Sequence, residues 1–171
     1  MKILHFITLS SISVGVLSNG LAASLPDKET IGALRVALAH KSFPYEQFSQ
    51  FTGAQMAKGT PAALAAVADR TQVYRIDFDS DGAVDRVLQI DLRARNSQFI
   101  VLHRTNNGWR VVGEFVGQEF SFLHFGSAPA AHLQVTENNG GGHLAVSSYK
   151  LKEGHYVRYE AHEEKAGEER R

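Results

Sequence analysis

The chain has 171 residues, with 18 Lys plus Arg against 18 Asp plus Glu and no cysteine. So even a balance offers no basic field for a nucleic-acid backbone. Without cysteine there can be no disulfide framework, so stability must come from packing, and from a metal if one is bound.

The first two dozen residues differ in character from the rest. Lys2 opens a short positive region, "ILHFITLSSISVGVL" is apolar, and "SNGLAAS" is small. This is the layout of a secretory signal peptide, with cleavage expected after Ala22 or Ala23. The apolar run is diluted by His5, Thr8 and three serines and falls short of the roughly 20 residues that span a bilayer. A leader over 1–23 and a periplasmic or secreted location are therefore expected. The remaining part is large enough for one core.

Residues 24–70 are rich in alanine and read as helical. "PDKETIGALRVALAHK" puts Ile31, Leu34 and Leu38 on one face, with Asp27 as cap. In "PYEQFSQF" Tyr45, Phe48 and Phe51 recur every third residue, which predicts a short aromatic helix. "GTPAALAAVADR" offers Thr60 as cap and Pro61 at the first helical position.

From Gln72 the period changes to two. Tyr74, Ile76 and Phe78 share a face; further on Val84, Leu88, Ile90 and Leu92 align. "QFIVLHR" and "WRVVGEFVG" predict a hairpin through "TNNG", because Asn-Gly accepts the positive φ of tight turns. "FSFLHF", "HLQV", "HLAVSSYKL" and "HYVRYEAH" supply further strands, for seven or eight in all, and their short links force antiparallel neighbours. The expected fold is α+β: N-terminal helices packed on an antiparallel β-meander, twisted or half-closed, over 71–162. A charged tail without structure is expected over 163–171. The aromatics of the β half should mostly fill the space between sheet and helices. The "TENNGGG" turn faintly echoes "DFDSDGA", as if two hairpin units were related.

The most unusual stretch is "RIDFDSDGAVDRVLQID" at 75–91, where Asp77, Asp79, Asp81 and Asp85 fall within nine positions. A hard cation such as Ca²⁺ takes six to eight oxygen ligands. Carboxylates at positions 1, 3, 5 and 9 of the loop and the Ala83 carbonyl at position 7 could supply five of them, while Gly82 permits the sharp turn. Four such charges repel one another unless a cation or protons neutralise them. An EF-hand does not fit, since its position 12 would be Leu88 on a strand. A plain aspartate-rich turn also explains "DSDG", because Asp side chains bond nearby backbone amides.

The loop resembles the D-x-D-x-D-G-x-x-D calcium loops of FG-GAP and VCBS-type repeats, which are flanked by strands. It is also similar to small exported bacterial proteins with one such unit ahead of a meander ending in a hairpin like "SSYKLKEGHYVRYE". The resemblance covers about 72–160 and implies Asp77, Asp79, Asp81, the Ala83 carbonyl and Asp85 as calcium ligands. Only one loop is intact, so adhesion-type function does not transfer.

Histidines 103, 124, 132, 143, 155 and 162 lack metal-ligand spacing and read as solvated strand positions. Ser127 in "FGSAP" has no nucleophile-elbow context, and "NNGGG" (138–142) opens no helix that could bind phosphate. No catalytic constellation is recognised. The expected function is a small periplasmic, non-catalytic binding protein with a structural calcium loop, possessing a protein or envelope-glycan partner, of inhibitor or immunity type toward a secreted enzyme. The alternatives are a calcium-responsive envelope or surface module and a metal-dependent hydrolase.

Overall fold

The computed structural model describes residues 27–40, 43, 45, 46, 49, 60–92, 94–124 and 130–165. The expected leader, most of the aromatic helix over 44–51, Ser127 and residues 166–171 lie outside the described residues. Helices α1 (Lys28–Ala39) and α2 (Pro61–Ala68) come first. Eight strands follow: β1 (Thr71–Ile76), β2 (Asp85–Ile90), β3 (Ser97–Thr105), β4 (Gly108–Gly117), β5 (Glu119–Leu123), β6 (His132–Gly140), β7 (His143–Lys152) and β8 (His155–Lys165). Asp27 caps α1 by accepting the Thr30 N–H at 2.7 Å, and Thr60 caps α2 by accepting that of Ala63 at 3.2 Å.

The strands form two open four-stranded antiparallel sheets, β1-β2-β3-β4 and β5-β6-β7-β8, each in sequence order. The α+β class is as expected, but the single half-closed meander is not: the meander is split in two. The break falls at Gly117. A Cβ there would lie 2.5 Å from Val135 Cγ1 and 2.9 Å from the Thr136 carbonyl oxygen. The next residue, Gln118, donates its N–H to that same carbonyl at 2.6 Å. β4 therefore ends hard against β6, and the chain turns a corner into the second sheet. Only a residue without a side chain allows backbones to approach this closely.

Three layers result, with the first sheet in the middle. Leu88, Ile90, Ile100 and Leu102 point to one side, where they meet Leu34, Leu38 and Val67 of the helices. Val87, Phe99 and Val101 point to the other, against Leu133, Val135 and Tyr156 of the second sheet. Every residue of β2 except Gln89 is buried. Each large apolar side chain so enclosed contributes about 1.5–3 kcal/mol relative to exposure. Val84 does not join this array; it precedes β2 and is 48% exposed.

The aromatics fill the gap between the two sheets rather than the one between sheet and helices. Phe78, Phe99, Phe115, Phe120, Phe122, Tyr149 and Tyr156 all belong to the inter-sheet core. The reason is distance. Facing sheets sit about 10 Å apart and need long side chains to meet. The helices present Ala33, Ala37 and Gly32, and a Cβ on Gly32 would be only 3.5 Å from the Trp109 ring.

β8 extends to Lys165, pairing Glu163, Glu164 and Lys165 with Ala145, Leu144 and His143. The first three residues of the expected tail are thus strand, because β7 is long enough to pair with them. The two echoing turns are not equivalent either. The aspartate loop joins the first and second strands of its sheet, whereas "TENNGGG" runs from the second strand of the other sheet toward the third.

Candidate metal centre

The aspartate loop is built on the alternation Asp77-Phe78-Asp79. Phe78 is fully buried and anchors the loop from below. Its ring stacks on Phe122 with centroids 5.9 Å apart and meets Tyr156 edge-on at 5.7 Å and His103 at 5.6 Å. Its carbonyl accepts the Ala131 N–H at 2.7 Å. With the second loop residue pinned inward, the flanking carboxylates are turned away from the core. The chain then reverses through two left-handed residues, Ser80 (φ 59°) and Gly82 (φ 84°). Gly82 is the residue type that conformation favours; Ser80 holds it without that freedom.

Local bonds stiffen the turn. Asp77 accepts the N–H groups of Asp81 and Gly82 at 3.2 and 3.0 Å, and Asp81 accepts that of Ala83 at 2.7 Å. These are the side-chain-to-backbone bonds of an aspartate turn, and they also present the carboxylates in a fixed arrangement.

Asp85 stands apart. It opens β2, is fully buried, and accepts the Phe78 N–H through Oδ2 at 3.3 Å and the Arg104 N–H through Oδ1 at 2.7 Å. One carboxylate thereby stitches the loop to β3. Burial pushes its pKa up to about 6, against the downward pull of the two amide bonds and of His103; Asp79 adds to the rise.

Two overlapping groups of potential ligands come together. Asp77, Asp79 and Asp85 offer atoms within 4.8 Å of one another, and so do Asp79, Asp81 and His103. Asp79 belongs to both. All four aspartates expected as ligands are thus in one group or the other. Ala83, expected to offer its carbonyl, donates its N–H to Asp81.

His103 was expected to be a solvated strand residue and is instead 15% exposed and part of this centre. Its Nε2 lies 3.1 Å from Asp79 Oδ2 and 3.6 Å from Asp81 Oδ2. A signal for it exists in the sequence. Phe99, Val101 and His103 share one face of β3 by period two, so a polar ring follows two core residues into the interior. The other histidines behave differently. His124, His143 and His155 are exposed, His132 meets the Tyr159 hydroxyl at 2.9 Å, and His162 meets Glu164 at 2.8 Å.

The opposite face of the sheet carries the balancing charges. Arg104 pairs with Glu29 at 2.9 Å, Arg75 pairs with Asp27, and both Arg86 and Arg104 lie over the Trp109 ring at 5.3 and 5.0 Å. On the loop side a polar groove of about 590 Å³ is lined by Asp81, Ala83, His103, Arg104, Thr105 and Asn106. Chemically, the centre can hold a divalent cation through carboxylate oxygens, with an imidazole alongside.

No family model matches the chain, and neither a curated protein nor a solved structure matches it. Nothing in these comparisons identifies an FG-GAP or VCBS-type repeat. No helix among the described residues is long and apolar enough to cross a membrane.

Proposed function

We propose that this chain is an exported, non-catalytic binding protein in which a calcium ion locks the β1–β2 loop. In that locked form it presents its β-surface to a protein or envelope-glycan partner, of inhibitor or immunity type toward a secreted enzyme. The observation that carries the calcium reading is the convergence of Asp77, Asp79 and Asp85 within 4.8 Å, Asp85 being wholly enclosed. Carboxylates so close repel one another, and a hard cation relieves that repulsion best with oxygen donors. Asp81 and the Ala83 carbonyl complete the proposed set. Export rests on the basic, apolar and small-residue layout of residues 1–23.

Calorimetric titration with Ca²⁺ tests the reading. Binding is expected with Kd roughly 10⁻⁴–10⁻³ M, the range of extracellular modules. At 10 mM Ca²⁺ the fold should then gain about 1.4–2.7 kcal/mol by mass action, and Asp79→Ala with Asp81→Ala should abolish both effects. Absence of heat together with an unchanged melting temperature would retire the calcium loop. Export is checked separately. N-terminal sequencing of protein recovered from a periplasmic fraction should begin at Ala23 or Ser24, and an intact Met1 there would overturn it.

A further inference from the structure

We infer that Asp79, Asp81 and His103 form a site for a borderline divalent cation, Zn²⁺ foremost, sharing Asp79 and Asp81 with the calcium set so that the two ions compete. The inference rests on the reading of the loop as a cation centre and goes beyond it in naming a second ion and its own ligand. The argument starts from His103. It comes from β3, not from the acidic loop, and it joins Asp79 and Asp81 in one group. Among the described residues neither of its ring nitrogens has a hydrogen-bond partner, although both are out of contact with solvent, and Asp79 Oδ1 is in the same condition. The Nε2 atom is 3.1 Å from Asp79 Oδ2 but lacks the alignment of a hydrogen bond. Buried polar atoms without partners are disfavoured by about 1–3 kcal/mol each, and a metal ion bound at Nε2 satisfies that nitrogen together with the Asp79 carboxylate.

Spacing alone does not choose the ion. Tetrahedral zinc bonds of about 2.0–2.1 Å hold neighbouring ligand atoms about 3.3 Å apart, between the observed 3.1 and 3.6 Å. The larger calcium shell accepts similar separations. The nitrogen decides: imidazole suits zinc and its neighbours, whereas calcium takes oxygen almost exclusively. Two carboxylates and one imidazole make three protein ligands, the number found where zinc keeps a position for water or a bound group. Asp81, His103 and the groove beyond them, with Arg104, Thr105 and Asn106, provide the open side.

The test uses the purified full-length protein, stripped with a chelator, titrated with Zn²⁺ by calorimetry and with Co²⁺ as a spectroscopic stand-in. One ion per chain is expected. His103→Gln should weaken Zn²⁺ by at least about 10–100-fold, the loss seen even for residues that only orient a ligand. It should also erase the Co²⁺ visible band. Asp81→Asn, at an exposed rim position, should weaken Zn²⁺ in the same direction, and His155→Gln on the exposed part of β8 should change nothing. Excess Ca²⁺ should raise the apparent Kd for Zn²⁺. Melting of each variant in chelator verifies that it is folded. Zn²⁺ binding unchanged by both His103→Gln and Asp81→Asn would overturn the inference while the calcium response stands. Binding that depends on His103 without any calcium response would support the zinc site and sink the calcium assignment, and the competition with it. No response to either ion would overturn both.

Discussion

In chelated protein, Asp85→Ala is expected to cost most stability near pH 4 and progressively less toward pH 7. Two effects combine. The substitution strands the Phe78 and Arg104 amides, at about 1–3 kcal/mol for each buried donor left without an acceptor. Against this, the wild-type carboxyl titrates near 6 in the fold and at 3.8 ordinarily. A raised acid pKa means that the folded state holds the proton more tightly. The stability this confers is fully present below 3.8 and is lost as pH climbs through 6, by up to about 3 kcal/mol for two units. The difference in unfolding free energy between wild type and variant should therefore narrow by that amount across the window. Adding Ca²⁺ should restore the difference at neutral pH, since a cation favours the ionised form. Urea unfolding at pH 4, 5, 6 and 7, with and without calcium, measures it. A difference that stays flat with pH in chelator would show that the carboxylate is ionised in the fold without penalty, contrary to its complete burial.

Phe78→Ala should be the most damaging single change in the inter-sheet core, at about 3–5 kcal/mol. The ring touches Phe122, Tyr156 and His103, and its own backbone bonds both Asp85 and Ala131. A cavity there loosens the support beneath Asp77 and Asp79, so cation affinity should fall along with stability. Pairing it with Phe122→Ala in a double-mutant cycle should reveal a coupling of about 0.5–1.5 kcal/mol from the stacked rings. A loss below about 1 kcal/mol for Phe78→Ala would mean that the loop is not hung from this ring.

Much of the β architecture can be read from local chemistry. Short turns such as Asn106-Asn107 before Gly108 permit only antiparallel neighbours, and the strand pairing follows. The division into two sheets is less visible, because "WRVVGEFVGQEFSFL" alternates without a marked interruption. Gly117 alone signals the corner, and a glycine in a strand has several other uses. The burial of β2 and β3 on both faces is hinted at by "FIVL", a run with no polar side at all, and by "VLQI", which Gln89 alone interrupts. The aspartates are conspicuous because their spacing is local. His103 is not, because what brings it to Asp79 is the pairing of β2 with β3, in which Arg86 faces Leu102 and so sets Asp85 near His103. Sequence distance hides such a neighbour; only its place on the Phe99–Val101 face betrays it.

The central position of the first sheet has a mechanical consequence. It is the common partition of two hydrophobic clusters, with the helices packed on one face and β5–β8 on the other. The acidic loop sits at the rim of that partition, held from one cluster by Phe78 and facing Arg104 at the edge of the other. Whatever occupies the loop therefore bears on both halves of the molecule at the boundary they share.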